Sequence, residues 1–408
     1  MSQQAGRWKG RFRGRHQPCL MLIGIVFLVL GSVGAQAQHS PFAPQQSTDS
    51  ALGLMLAHVP ATLSDLDDPE GANLTYANIA AQLQAVGVTP PDSMDDERSK
   101  AWIDATRGLP MAMPAAQFLK VWREDYGFDL FQADQTLQIS LPPFDLSLYR
   151  GGFNNQEVLG ALGDIGYQPV DNDGAILSIR GDYEQDVQAP TAYKMAAMNY
   201  ATILDDGTLA FASALGILQE VLEVQAGERA SLAERSDIAL LLDSAPNDLA
   251  SAMIVPGIML VAGIPEQVLD LDPGATPDLA AAATEIAERS GLPPIANVLL
   301  GMSVGGPISV DDTATSPVAD VPDARAVVIV AMHSPDAAQA AAPIIAERLA
   351  TQASVVTDEP FAEIFPQRTV EPIPGLPIVV VDLVLGEGTG RDILMRLLFA
   401  RDLGFLAW

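Results

Sequence analysis

The only cysteine of this chain, Cys19, lies inside an N-terminal apolar run. Whatever folds beyond that run has no disulfide, no thiol nucleophile and no thiolate metal site. A hydrophobic core alone must hold it together, and 408 residues are enough for one large or two medium domains. The run itself, "CLMLIGIVFLVLGSVGA" (19–35), follows Arg7, Lys9, Arg11, Arg13 and Arg15 and leads into the small-x-small triplet Ala35–Ala37. This is the layout of a secretory signal peptide over residues 1–37. The run is also close to the length of a bilayer span, so an uncleaved signal anchor is the alternative. Cys19 opens the run instead of ending it, which argues against a lipoprotein. In either case the basic flank stays in the cytoplasm and the body is expected to be extracytoplasmic: secreted, periplasmic, or membrane-anchored facing outside.

Charge narrows the partners. The chain carries 22 basic and 51 acidic residues, a net charge of −29. Five of the basic residues sit in the leader and no acidic one does, so the body is more acidic still. Such a surface repels phosphate backbones, which argues against nucleic acid as a partner. The expected partner is a protein or a small-molecule ligand, with membrane attachment only through an uncleaved N-terminal segment.

The chain then reads as a polar linker (38–50), a helical segment (51–132), a first α+β unit (133–265) and a second (266–408). "TYANIAAQLQAVG", "DDERSKAWIDATRG" and "PAAQFLKVWREDYG" show helical spacing and end at glycines; Trp102, Phe118 and Trp122 are expected in the core. "NNQEVLGALGDIGY" reads as a helix capped by Asn154 or Asn155, with Val158, Leu159, Leu162 and Ile165 as its apolar face. "YATIL–DDG–TLAFAS" reads as a hairpin on a two-residue Asp206-Gly207 turn, with Ser213 capping the next helix. "ASAMIV", "IANVLLGMSV", "ARAVVIVAM" and "GLPIVVVDLVLG" read as strands. Ser334-Pro335 opens a helix that Pro343 should kink, and "GRDILMRLLFARDLGFL" is a final helix with Arg391, Arg396 and Arg401 on a basic face. The fold class is therefore α+β: a helical segment followed by two units of ferredoxin-like character.

Over about residues 145–225, the "RGGF…GALGDIGY…DDGTLAFAS" pattern resembles exported bacterial proteins of unknown function. The resemblance implies no activity.

Three motifs invite chemistry. "PVDNDGAILSI" places Asp171, Asp173 and Gly174 at EF-hand spacing, but Pro169 and Arg180 occupy the first and twelfth positions, where calcium needs oxygen ligands. It reads as a hairpin turn. "GMSVG" (301–305) matches G-x-S-x-G, with Asp311, Asp312, Asp320, Asp323 and His333 following in α/β-hydrolase order. In that reading Ser303 attacks, His333 takes its proton and Asp320 orients the imidazole. Gly305-Gly306-Pro307 stands where the elbow should open a helix, and the spacing to His333 is short. "GEGTGRD" (386–392) lies between a strand and a helix, but lacks both the G-x-G-x-x-G spacing and the P-loop Lys-Ser/Thr pair, and reads as a mobile connection. Beyond the leader the histidines are His39, His58 and His333, with no pair at helical spacing, so no metal or cofactor is expected. The function expected is binding or scaffolding at the cell envelope without catalysis; the alternative is a serine hydrolase on Ser303, His333 and Asp320.

Overall fold

Runs of Val, Ile and Leu with few charges fit strands buried on both faces. Several of them form the inner strands of one large sheet. The computed structural model describes residues 50–61, 73–111, 119–141, 144–170, 175–185, 196–257, 260, 291–305, 325–386, 389–400 and 402–407. The leader, the 38–49 linker, Phe118, the Asp171–Gly174 turn and Asp320 lie outside the described residues.

The strands are β1 (Asn73–Asn78), β2 (Ala133–Leu141), β3 (Phe144–Gly151), β4 (Gln168–Pro169), β5 (Leu177–Ser178), β6 (Tyr200–Ile203), β7 (Leu209–Ala212), β8 (Leu249–Pro256), β9 (Ile295–Ser303), β10 (Arg325–Met332), β11 (Gln367–Pro372) and β12 (Ile378–Val384). They make a single 12-stranded sheet in the order β11-β12-β10-β9-β8-β1-β2-β3-β7-β6-β5-β4. Every pairing in it is antiparallel. The class is α+β, with more sheet than two ferredoxin-like units call for.

The order has an internal symmetry. β1, β2, β3, β7 and β6 stand in the same relation as β8, β9, β10, β12 and β11. The two blocks meet where β1 pairs antiparallel with β8, Thr75 opposite Met253 and Leu74 opposite Ile254. An antiparallel pair at the centre relates the blocks by an approximate twofold axis normal to the sheet.

The helices are α1 (Ala51–Leu56), α2 (Ile79–Ala85), α3 (Ser99–Thr106), α4 (Leu119–Tyr126), α5 (Asn155–Asp164), α6 (Leu215–Gln225), α7 (Ser236–Ser244), α8 (Pro335–Thr351), α9 (Phe361–Ile364), α10 (Ile393–Phe399) and α11 (Gly404–Ala407). They cover the two faces differently. On one face a single core runs across the central β1–β8 pair, from Leu148 and Tyr76 through Ile254 to Ile329, beneath α1, α6 and α7. On the other face there are two cores. One gathers Trp102, Trp122, Tyr149, Val158 and Phe211 under α2–α5. The other gathers Val328, Val381, Ile345, Phe361 and Phe405 under α8–α11. The seam between the blocks is therefore sealed on one face and divides two cores on the other.

Several local expectations hold and several change. Asn154 caps α5, its side chain accepting from Gln156 and Glu157 N–H. Ser334 caps α8 by accepting from Ala337 N–H, and the helix runs on through Pro343. Leu159, placed on the apolar face of α5, is instead 45% exposed. The segment read as mostly helical contains β1: "NLTYAN" alternates Leu74 and Tyr76 into one core with Ala77 toward the other. Asn78 then caps α2 through Ala81 N–H. The hairpin at Asp206-Gly207 has a three-residue loop, because Leu204 and Thr208 still pair (N–H to O, 2.9 Å) and Gly207 takes φ +85°. Ser213 does not cap α6: its Oγ accepts from Asp145 N–H at 2.9 Å, while Asp182 Oδ1 accepts from Leu215 N–H at 2.8 Å. The expected final helix divides into α10 and α11, because buried Asp402 turns the chain. Its carboxylate accepts from Ser354 Oγ at 2.6 Å and Val356 N–H at 2.8 Å.

Candidate functional site

Of the three catalytic side chains named from the sequence, Asp320 lies outside the described residues, and Ser303 and His333 are not brought together. Ser303 ends β9, and its Oγ is spent on the neighbouring strand, donating to Arg325 O at 3.2 Å and accepting from Arg325 N–H at 3.3 Å. His333 follows the far end of β10, which starts at Arg325. Eight residues of extended chain separate these ends, roughly 25 Å at about 3.3 Å per residue. Ser303 also sits within a strand ladder, opposite Leu249.

The first glycine of the motif has a packing reason. A Cβ on Gly301 would lie 2.8 Å from Leu249 Cδ2 and 2.9 Å from Val327 Cγ1. The neighbouring strands fill the space that a side chain there would need. Gly301→Val is therefore expected to lower stability by about 1–3 kcal/mol through overpacking, read as a fall in the denaturation midpoint.

The other motifs also resolve into structure. β4 and β5 pair antiparallel on either side of the Asp171–Gly174 stretch. His58 Nε2 lies 3.2 Å from Asp206 Oδ2. Partial burial raises the Asp206 pKa, but hydrogen bonds from Thr208 and the nearby His58 outweigh it and hold the carboxyl below its ordinary value. Among the described residues no three His, Cys, Asp or Glu side chains gather as a metal site, and no helix is long and apolar enough to cross a membrane. In "GEGTGRD", Gly386 is tightly packed, since a Cβ there would come within 2.5 Å of Glu363 O.

That same stretch delivers a buried cation with donors left over. Arg391, expected on a basic helical face, is only 6% exposed. It lines a small cavity on the divided face of the seam, with Gly108 and Pro110 from the first block and Met253, Met302 and Met395 from the second. The cavity is about 10 Å³, near the size of one water. Arg391 Nη2 donates to Ser303 O at 2.7 Å. Its Nε and Nη1 have no hydrogen-bond partner among the described residues. Burial pulls the guanidinium pKa down to about 10.

The cavity walls are fixed by contacts across the seam. Gly108 takes φ +82°, and a Cβ there would lie 3.0 Å from Asp392 N. The turn after α3 can thus lie directly on the backbone that carries Arg391. Buried Gln82 of α2 ties the same corner: Nε2 donates to Ala105 O at 3.3 Å, and Oε1 accepts from Gly305 N–H at 3.1 Å. Nothing in the sequence around Arg391 signals its burial; it precedes an amphipathic helix, where an arginine is ordinarily solvated.

Comparison with family models, with curated proteins and with solved structures found no match to this chain.

Proposed function

We propose that this is an exported, envelope-associated protein that binds or scaffolds a partner and does not catalyse a reaction. The observation that carries this reading is the cavity at the seam of the two blocks. Junctions between structural units are where ligand sites concentrate, and this one, about the size of one water, holds two Arg391 donors with no partner among the described residues. Export rests on the basic leader, the apolar run and the Ala35–Ala37 triplet, with the body placed outside the cytoplasm. The partner is a protein or a small molecule; the acidic composition disfavours nucleic acid, and membrane attachment would come through an uncleaved leader. A division into two α+β units is supported by the strand order shared by the blocks, although β1 joins the first block from the segment before residue 133 and β8 joins the second from within 133–265. Their ferredoxin-like character rests on the alternation of strands, hairpins and helices in the sequence alone.

The competing reading is a serine hydrolase on Ser303, His333 and Asp320. A fluorophosphonate probe separates the two. The intact protein is expected to remain unlabelled, because the Ser303 hydroxyl is held by backbone and His333 lies roughly 25 Å away at the other end of β10. Labelling that maps to Ser303 and disappears in Ser303→Ala would overturn the non-catalytic reading.

A further inference from the structure

We infer that a polar strip on the divided face of the first block, made by Asn73, Thr75, Gln138, Ser140 and Asp145 with Tyr183 at its end, binds a neutral oligosaccharide. The inference adds a site to the binding reading above and does not use the seam cavity.

Strand alternation assembles the strip. Leu74 and Tyr76 of β1, Leu137 and Ile139 of β2, and Leu146 and Leu148 of β3 all enter the core that runs across the seam. The residues between them therefore face the other side of the sheet. Register sets these in two rows: Asn73, Ser140 and Asp145 lie side by side, and so do Thr75, Gln138 and Ser147. One row further along, Ala77 and Tyr149 already belong to the core under α2–α5. On the other flank Met253, opposite Thr75, belongs to the core under α8–α11. The strip thus lies beside the seam, between two apolar cores. Ser147 is buried and the other five side chains are half-buried. Partial burial holds the Asp145 carboxyl above its ordinary value, against hydrogen bonds from Ser140 and Gln138.

Backbone bonds place Tyr183 at the end of this strip. Ser213 pairs with Asp145, its N–H donating to Asp145 O at 3.0 Å and its Oγ accepting from Asp145 N–H at 2.9 Å. Tyr183 N–H in turn donates to Ser213 O at 2.8 Å. Tyr183 has φ +58°, in the left-handed region that favours glycine. Buried Asn199 fixes this loop, its Nδ2 donating to Gly181 O and Glu184 O at 2.9 Å each. A glycine would meet the backbone requirement at lower cost, yet the position carries a ring that is 42% exposed. Strain kept at an exposed aromatic points to a use for the ring.

The chemistry of the strip selects the ligand. Amide and hydroxyl side chains both donate and accept, and a carboxylate accepts. Sugar hydroxyls also donate and accept, so a mixed strip of this kind suits them. The C–H face of a sugar ring packs on the electron-rich face of an aromatic. Three strands about 4.8 Å apart span roughly 10 Å, enough for one or two sugar rings. The named side chains include no cation, and the chain carries a net charge of −29, so an anionic ligand is disfavoured.

An array of neutral glucose-, galactose-, mannose- and N-acetylglucosamine-based oligosaccharides, with sialylated and uronate-bearing members alongside, tests the inference on the intact protein. Binding to at least one neutral member is expected, and calorimetry with that oligosaccharide then gives its affinity. Tyr183→Gly should weaken it at least ten-fold while leaving the melting temperature unchanged or raised, because the ring is lost and the backbone strain relieved. Asp145→Asn should weaken it at least five-fold. No binding to any neutral member overturns the inference, and so does binding confined to the charged members. Unchanged affinity in both variants overturns it by placing the sugar elsewhere. A lower melting temperature in Tyr183→Gly would show that the ring serves packing, which also overturns it. The Tyr183→Gly result stands even if Asp145→Asn fails to fold. A protein that is unlabelled by fluorophosphonate and binds no oligosaccharide loses this inference and keeps the broader reading.

Discussion

Removal of residues 391–408 is expected to abolish cooperative unfolding. Ile393, Leu394, Leu397, Leu403, Phe405 and Leu406 are each at most 3% exposed and belong to the core under α8–α11. Phe405 meets Phe361 edge-on, with ring centroids 5.2 Å apart. Burying one such side chain is worth about 1.5–3 kcal/mol, so the six together contribute roughly 9–18 kcal/mol. That matches or exceeds the whole stability of an ordinary domain, about 5–15 kcal/mol. The deletion also removes Asp402, which holds the Ser354–Val356 turn. Calorimetry should show no sharp transition, and a hydrophobic dye should bind the truncated chain. An unchanged melting transition would show that this segment docks elsewhere and does not close the core.

Trp102→Ala should cost about 3–5 kcal/mol, the usual range for emptying a large aromatic site, and lower the melting temperature by about 5–15 °C. Trp102 is 1% exposed and sets its edge against Phe131 with centroids 4.8 Å apart. Its indole Nε1 is buried with no hydrogen-bond partner among the described residues. The side chain therefore acts through packing alone. Trp102→Phe should recover more than half of the loss, because it restores ring volume and removes a donor left unsatisfied. If Trp102→Phe were as destabilising as Trp102→Ala, the indole N–H would have to be making a bond. Leu159→Ala is the internal control: this side chain is 45% exposed, and its loss should stay within about 0.5 kcal/mol.

The contrast between Trp102 and Leu159 shows how far local pattern reaches. Both sat on apolar helix faces in the sequence, and only one is buried. A 3.6-residue period identifies the stripe that faces a core, but not where the stripe ends. β1 marks the other limit. Six residues with two inward apolar side chains gave a weak signal beside the longer helical patterns that follow. Yet β1 pairs with both β2 and β8 and joins the blocks. Its pattern was readable in the alternation of Leu74, Thr75, Tyr76 and Ala77 before the Asn78 cap.

The G-x-S-x-G match shows the same limit. G-x-S-x-G describes residue types over five positions, whereas a nucleophile elbow is a backbone path. Gly301 is small because Leu249 and Val327 occupy its side-chain space, and Ser303 is bound into a ladder. Both facts depend on strands distant in sequence.

What the chain's own text determined, then, is what neighbouring residues decide. It includes the α+β class, the strands β8, β9, β10 and β12, an asparagine cap at 154 or 155, the Ser334 cap, and the need for a core without disulfides. Side-chain capping, turn geometry and apolar period all act over a few residues, so they leave a local trace. The tertiary structure alone decided the strand order, the twofold relation of the blocks, and the burial of Arg391 in a corner built from both. That corner is closed by contacts spanning 223 residues between Gln82 and Gly305 and 88 between Arg391 and Ser303. Burial of a charge depends on everything that packs around it, and here those groups come from opposite ends of the chain.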